Sequence, residues 1–428
     1  MLAFTPRRRG LAVLFCLLFD SSAHGAESLA LEDAITATLS RNPDLLAQGF
    51  AMREQDARLL QATLAPRPEL NVSVEDVLGT GVAQALSGAQ TTVSIAWVLE
   101  GDLRQKRIDA ASTGSLVLAD EAQILRLDAA AATARLYLDA LAHQHRLLLA
   151  DAAIALGQDT IASLIQRVAI GTAAPHELAR ARADLARREL TREDLTHELT
   201  GYYHQLASQW GDLNPAFGQV QGNPLQLPAL EDVAALQTRL AQTPDLQRFL
   251  SEQRVHESTL QLELAQRKSP WRVNAGLRRI EGSSDFGFVA GVTIPLNRGN
   301  ENQGRIEEAR VRVQRSAAEQ TAAQVRLQTA LLLVHQEQTH AQHVVEMLRT
   351  QVIPRYEDAL QQVQQAYALG STSYLEWLTV QDDLLQAREE LLEASILAHR
   401  NAIEIERLTG ARVAQTAAAN ATTPRGTP

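Results

Sequence analysis

The sequence predicts a mainly α-helical, internally duplicated protomer with a small β part, which assembles with copies of itself. Three observations predict this class. One order of elements occurs twice along the 428 residues. Each half contains a helical tract far longer than a globular core requires. Each half also contains two alternating strands, close to the roughly 9–11 residues that cross a bilayer at a tilt.

Residues 1–25 are expected to be a secretory signal peptide. Arg7–Arg9 precede the apolar run Leu11–Phe19, and small residues follow as far as Gly25. Cys16 lies inside the apolar run, without the small residue that a lipoprotein signal places before its cysteine. We therefore expect an exported chain with no lipid anchor, no disulfides and no thiolate metal chemistry.

Composition excludes several classes of protein. The formal net charge is −10 at pH 7, which makes an acidic exported chain a poor partner for nucleic acid. Apolar residues reach 45% and aromatic residues only 4%, a balance typical of coiled coils. No segment after the leader approaches the roughly 18 consecutive apolar residues of a membrane-spanning helix. The sequence therefore predicts no helical membrane protein.

Short phrases from the first half recur in the second. "LED" at Leu31 returns at Leu230, and "NPDL" at Asn42 returns as "TPDL" at Thr243. The Gly/Pro-punctuated stretch between the halves reads as a connector. The predicted division is a first repeat at 27–210, an equatorial connector at 211–230, a second repeat at 231–410 and a disordered tail at 411–428.

Each repeat is predicted to run through a helix, two strands, a long helix and a shorter return helix. The predicted elements are strands 69–78 and 91–99, long helix 102–169 and return helix 175–210 in the first repeat, and strands 272–280 and 286–296, long helix 303–369 and return helix 374–409 in the second. Two hairpins give too few strands to close a transmembrane barrel, which needs about eight. Several chains must therefore share one barrel, and three copies would supply 12 strands.

The long helices predict a ring of helices rather than a filled bundle. Residues 102–169 contain no proline, and at about 1.5 Å per residue they extend roughly 100 Å. Two heptad stripes run along this helix, one beginning at Leu118 and one at Leu127. Two stripes require two neighbours, one on each side. In the second long helix Pro354 is expected to cause a kink, either tolerated or serving as a hinge for opening.

Four segments carry a resemblance to a known family. They are "LEDAITATLSRNPDL", "LASQWGDLNPAFGQVQGNPLQLPAL" (Leu206–Leu230), "GFVAGVTIPLNRGNENQGRIEEAR" (Gly287–Arg310) and "VIPRYEDALQQVQQAYALGSTSYLEWLTVQDDLL" (Val352–Leu385). From about Leu29 to Gly410 the chain resembles the TolC family of outer-membrane efflux proteins. The connector and the strand segment resemble most closely its heavy-metal cation branch, the CzcC-like proteins.

The resemblance implies a homotrimer. Its 12-stranded β-barrel would lie in outer-membrane lipid and continue into a long periplasmic 12-helix α-barrel. The partners would be a periplasmic adaptor and an inner-membrane RND pump, and the function would be an exit duct for heavy-metal cations. A duct for drugs or for a type I secreted protein is one alternative, and a trimeric coiled-coil structural or adhesion protein is another.

No catalytic, cofactor or metal site is predicted. The sequence contains no G-x-S-x-G, no P-loop and no H-E-x-x-H. His335, His340 and His343 lie with Glu337 on one helix. Glu337, His340 and His343 share a face only loosely, so we interpret these histidines as ordinary helical residues rather than as metal ligands.

Gly171 and Gly370 are predicted to end the long helices in the left-handed conformation that glycine favours. Ser373 and Glu376 form an S-x-x-E capping box at the start of the second return helix. From the residues alone, Glu376 is interpreted equally well as a capping residue and as a pore residue.

The resemblance adds a role for these turns as the periplasmic tip and gate. It implies that Glu177, Glu376 and Tyr367, together with Gly171 and Gly370, line or latch the closed tip. Some relatives place an arginine two residues after the second glycine, where this chain has Thr372. A latch in this chain is therefore expected to be weaker or built differently.

Small residues around the same turns are predicted to accept a helical hairpin of the adaptor. Small side chains let a foreign helix approach closely in a groove. The predicted docking residues are Ala169, Ala173 and Ala174 in the first repeat, and Ala368 and Ser371 in the second.

Overall fold

The computed structural model describes residues 27–296 and 301–411. In chain order the elements are β1 (Glu27–Leu29), α1 (Leu31–Arg41), α2 (Pro43–Thr63), β2 (Glu69–Glu75), β3 (Gln90–Leu99), α3 (Leu103–Ala169), α4 (Pro175–Ser208), β4 (Phe217–Val220), α5 (Val233–Leu240), α6 (Pro244–Ala265), β5 (Trp271–Ile280), β6 (Asp285–Thr293), α7 (Gln303–Met347), α8 (Ile353–Ala368) and α9 (Tyr374–Thr409). The expected leader, and the expected tail beyond Ala411, lie outside the described residues.

Two of the predicted strands end earlier than expected. The first ends at Glu75 rather than at residue 78, because Asp76 takes a φ of 57°, which leaves the extended conformation. The last ends at Thr293 rather than at residue 296, where Pro295 has no N–H to donate to a ladder. The other two strands begin one residue before the predicted position, at Gln90 and Trp271.

The single helix predicted at the start of each repeat is two helices. In the first repeat the break falls at Asn42, whose side chain caps α2 by accepting from the backbone N–H groups of Asp44 and Leu45. In the second repeat it falls at Thr243. We call α2 and α6 the upper helices. Both begin with proline, which suits a first helical position because its missing donor is not needed there.

The predicted long helix 303–369 is also interrupted. A π-helical turn, Leu348–Val352, separates α7 from α8. Pro354 lies two residues beyond this turn, and it cannot donate to the carbonyl four residues earlier. A locally wider turn is a known way for a helix to absorb such a gap. The structure therefore has a π-helical turn just before Pro354, at the place where a kink was expected.

The return helices end where the upper helices begin. Gly211 and Gly410 take φ of 75° and 69° at the ends of α4 and α9. A Cβ on Gly211 would lie 3.8 Å from Pro43, and one on Gly410 would lie 3.7 Å from Pro244. Each return helix thus stacks end to end on the upper helix of its own repeat, beside the long helix.

A small β unit sits at this junction. Strands β1 and β4 pair in parallel. The Tyr137 hydroxyl on α3 lies 2.8 Å from the Leu29 carbonyl and 2.6 Å from the Gln221 carbonyl. Gln144 pairs with both backbone groups of Val220, at 2.6 and 3.0 Å. The connector is therefore fixed to the middle of the long helix.

The four strands beyond the helices form one antiparallel sheet in the order β2-β3-β5-β6. The register places Val72, Val93, Leu277 and Phe288 in one row across the sheet. We call this side the apolar face, and its large side chains are exposed in the protomer, up to 94% for Phe288. The opposite, polar face bears small, polar and charged side chains. The outer edges of β2 and β6 are unpaired within the described chain.

Helix α3 bears an apolar stretch long enough to cross a bilayer, contrary to the expectation that no helix would. That stretch is mostly unburied within the protomer. A helix of 67 residues is roughly 100 Å long, about three times the hydrocarbon thickness of a bilayer. The exposed apolar side chains along this helix are available to pack against helices of neighbouring chains.

Candidate functional site at the helical tips

The two helical hairpins turn at matching glycines. At the first tip the Thr172 N–H donates to the Arg167 carbonyl at 2.9 Å, and the Gly171 N–H donates to the Val168 carbonyl at 3.1 Å. These are the two bonds of a Schellman motif, with Gly171 at a φ of 76°.

The second tip repeats this geometry 199 positions later (370 − 171). The Ser371 N–H donates to the Ala366 carbonyl at 2.9 Å, and the Gly370 N–H donates to the Tyr367 carbonyl at 3.0 Å. Its φ is also 76°. Apart from the adjoining residues, no described atom lies within 4 Å of the place of a Cβ on either glycine, so the left-handed backbone alone favours glycine here.

Three side chains join the two tips, and we call them the tip latch: Arg167, Glu177 and Tyr367. The Tyr367 hydroxyl donates to the Glu177 carboxylate at 3.0 Å. The Arg167 guanidinium lies 4.5 Å from the centre of the Tyr367 ring and donates to the Ala368 carbonyl at 3.1 Å. Glu177 of the first repeat thus accepts a hydrogen bond from the second repeat, and Arg167 of the first repeat donates one to it.

Burial, followed by the bond to Glu177, raises the pKa of Tyr367 to about 12. The hydroxyl therefore remains protonated, and able to donate, at every physiological pH. Its ring packs on Trp377, with the ring centres 5.1 Å apart, and Trp377 meets Tyr374 edge to face at 6.3 Å. These aromatic rings belong to a buried cluster that includes Leu164 of α3.

The two acidic residues of the tips are not equivalent. Glu177 is half-buried and bonded across the tips, whereas Glu376 is exposed. The Ser373 hydroxyl accepts from the Glu376 N–H at 3.2 Å, which caps α9. The Glu376 carboxylate accepts from the Thr372 hydroxyl. Glu376 thus acts within its own turn, and Thr372 supports it there.

The predicted docking residues divide into two groups. Ala169, Ala368 and Ser371 are exposed, as an adaptor surface requires. Ala173 and Ala174 are half-buried, and Ala173 packs against the cluster beneath the tips. Three of the five predicted docking residues are therefore exposed in the protomer.

Sequence reasoning missed four residues at the tips. Ile170 and Leu369 directly precede the two glycines and are 74% and 85% exposed. A large apolar residue directly before each tip glycine is a pattern that the sequence repeats, and this repetition could have predicted both residues. Arg167 and Trp377 had no such signal, because their partners lie about 200 positions away or in another helix.

No group of three or more His, Cys, Asp or Glu residues within 27–296 and 301–411 is placed to hold a metal ion. Of the three histidines on α7, His335 is hydrogen-bonded through Nε2 to the Glu231 carbonyl at 2.9 Å. His340 and His343 are exposed.

Known proteins match this chain in sequence and in fold. A family model described as outer membrane efflux protein matches residues 235–411. The cobalt-zinc-cadmium resistance protein CzcC of Cupriavidus metallidurans is 27% identical over 386 residues, covering 90% of this chain and 91% of its own. The nickel and cobalt resistance protein CnrC of the same organism is 25% identical and covers 77% of each chain.

Solved structures agree at lower identity. CusC aligns with a TM-score of 0.75 at 17% identity, over 90% of this chain and 93% of its own. The outer-membrane protein VceC from Vibrio cholerae aligns with a TM-score of 0.71 at 16% identity, over 89% and 96%.

The fold is that of the outer-membrane channels, as the sequence predicted. The family match covers residues 235–411, and the resistance protein CzcC and the channel CusC match this chain over most of its length. The family that matches is one of outer membrane efflux proteins, and the solved structures that share the fold include outer-membrane channels.

Proposed function

We propose that three copies of this chain form the exit duct of a tripartite efflux system for heavy-metal cations. The observation that carries the proposal is the four-stranded sheet with an apolar face and two free edges, joined to helices of roughly 100 Å. A free edge in lipid leaves backbone groups without partners, which costs several kcal/mol each. Joining β6 of one chain to β2 of the next removes every such edge.

The cargo is proposed from the curated relatives. CzcC, CnrC and NccC are described as resistance proteins for cobalt, zinc, cadmium or nickel. Export of drugs or of a secreted protein remains the alternative, because the same fold occurs in outer-membrane channels such as CmeC of Campylobacter jejuni. A coiled-coil adhesin is not favoured, because it has no use for the exposed apolar face.

The partners are proposed to be a periplasmic adaptor and an RND pump in the inner membrane. The exposed tip residues Ile170, Ala169, Ala368 and Leu369 would meet the adaptor's hairpins. Each turn exposes two adjacent apolar residues, Ala169 with Ile170 and Ala368 with Leu369, and contiguous exposed apolar surface is typical of protein–protein contact sites.

The tip latch is proposed to hold the periplasmic end closed. It joins α3 and α4 to α8, so that separating the two hairpins requires breaking the Tyr367–Glu177 bond. Three copies would also bring Glu177 and Glu376 near one narrow mouth, where carboxylates favour cations by field focusing.

The test is growth of a strain that lacks the gene, complemented with the wild-type chain. Resistance to cobalt, zinc, cadmium and nickel salts should return, with no change in resistance to organic drugs. Purified protein in planar bilayers should form channels. Restored drug resistance without metal resistance would assign the cargo to the alternative class. An absence of channels, with the protein present in the outer membrane, would reject the duct itself.

A further inference from the structure

The polar face of the sheet holds an arginine whose guanidinium is hydrogen-bonded to side chains of two other strands. Arg278 on β5 donates through Nε to the Thr92 hydroxyl at 2.9 Å and through Nη1 to the Gln90 amide oxygen at 3.0 Å. Through Nη2 it donates to the Glu75 carboxylate on β2 at 3.1 Å. The Gln90 amide nitrogen in turn donates to Asp76 at 2.8 Å. We call these five residues the distal network.

The network lies at the end of the sheet farthest from the helices. Helices join the sheet at the start of β2 and β5 and at the end of β3 and β6, so the hairpin turns mark the opposite end. Glu75 is the last residue of β2, and Arg278 lies two residues before the end of β5. In an outer-membrane barrel this is the extracellular end.

The face on which the network lies is the one that must line the lumen. The apolar face has to meet lipid, because its Leu, Val and Phe side chains have no other cover in the described chain. Side chains alternate along a strand, so Arg278 points away from Leu277 and away from lipid. The Arg278 and Glu75 side chains are 33% and 53% exposed, which leaves them open to a solvent-filled lumen.

Charge at this end is acidic once the arginine is paired. Glu75, Asp76 and Asp285 stand against Arg278, three carboxylates against one guanidinium, which leaves a formal −2 per chain. At the helical end of the same face Arg272 lies 3.6 Å from Glu69, so that pair is balanced. Fixed charges of one sign on the wall of a lumen raise the local concentration of counter-ions there.

We infer that the distal network sets the ion selectivity of the barrel lumen: Glu75 neutralises Arg278 and holds it against the wall, so that the extracellular end of the lumen favours cations. This inference rests on the proposed three-chain duct. It adds a selectivity element about a barrel's height beyond the helices, in addition to the acidic tip.

The same strand supplies a matched control. Arg279, the next residue, lies on the apolar face and pairs with Glu281 at 2.8 Å. Its guanidinium lies over the Phe286 ring at 5.4 Å. Replacing Glu281 by glutamine makes the same change in net charge, at the same end of the sheet, without touching the lumen.

The experiment measures the reversal potential of purified trimers in planar bilayers under a KCl gradient. Glu75→Gln should lower the preference for K⁺ over Cl⁻ several-fold, because it leaves Arg278 uncompensated in three copies. Arg278→Gln should raise that preference. Glu281→Gln should leave it at the wild-type value. The exchange Glu75→Arg with Arg278→Glu keeps the charge sum and the pair, and should also match the wild type.

Three outcomes would overturn the inference. Equal shifts from Glu75→Gln and Glu281→Gln would show that only net charge matters. Unchanged selectivity in Glu75→Gln and Arg278→Gln trimers would show a structural clasp only, even if those trimers melt at a lower temperature. If Glu75→Gln does not assemble, a wild-type preference in Arg278→Gln alone is sufficient to reject it. Wild-type protein that forms no channels would instead reject the proposed function.

Discussion

Removing the Tyr367 hydroxyl should open the periplasmic tip. Tyr367→Phe deletes the bond to Glu177 and keeps the ring that packs on Trp377 and under Arg167. A hydrogen bond to a charged group contributes about 1.5–3 kcal/mol. Glu177 is only half-buried, so water can replace part of the lost bond and the lower end of this range applies.

At about 1.4 kcal/mol per tenfold, one lost latch shifts the balance between closed and open tips by roughly 10-fold or more. Single-channel recording of purified trimers should therefore show longer or larger openings in Tyr367→Phe than in the wild type. Tyr374→Phe is the control, because Tyr374 lies in the same aromatic cluster and its hydroxyl has no hydrogen bond to the described part of the chain. Equal conductance in the wild type and both variants would refute the latch.

Three further predictions concern docking, the barrel and the equator. Valine at both Gly171 and Gly370 strains left-handed backbone and should abolish export while the amount of trimer in the outer membrane is unchanged; persistent export would reject the tips as the docking site. Phe288→Arg, on the apolar face, should cost about 2–4 kcal/mol and lower the trimer yield more than Val289→Arg on the polar face; equal yields would reverse the assignment of faces. Burial, and then the charge of the neighbouring Glu231 carboxylate, raises the pKa of Glu406 to about 8. The folded chain therefore binds a proton that the unfolded chain has released, and the free energy of unfolding should fall as the pH rises from the ordinary carboxyl range towards 8. Glu406→Gln should melt above the wild type at about pH 9 and level with it at about pH 5, and a gap independent of pH would contradict this.

Local patterns predicted most of the architecture. The alternation of Phe286, Phe288 and Val292 against Gly287 and Gly291 predicted the two faces of β6, because the side-chain period of a strand is fixed at two. The tip glycines were predictable for a similar reason, since a left-handed position strongly favours one residue type.

Contacts between distant parts of the chain were not predictable in this way. Arg167 meets Tyr367 only because the ends of α3 and α8 lie side by side, and no local signal in the sequence says so. The pairing of β1 with β4 joins segments of three and four residues, too short for a periodic signal. The π turn before Pro354 depends on how the helix absorbs a missing donor, which the proline alone does not specify.

The account depends on one claim above all, that three chains close one barrel through the free edges of β2 and β6. The chain beyond the expected leader has no cysteine, so engineered pairs report without background. Ser73 on the β2 edge and Gly287 or Val289 on the β6 edge lie on the polar face. A disulfide between neighbouring chains requires Cα atoms about 4.4–6.8 Å apart.

Cells expressing S73C with G287C, or S73C with V289C, are oxidised and their outer membranes are run on denaturing gels without reductant. The account predicts a ladder of one, two and three chains that stops at three for at least one pair, and no ladder for either single cysteine. Species longer than three chains, or no cross-link from any pair along the two edges while the protein is present in the outer membrane, would contradict it.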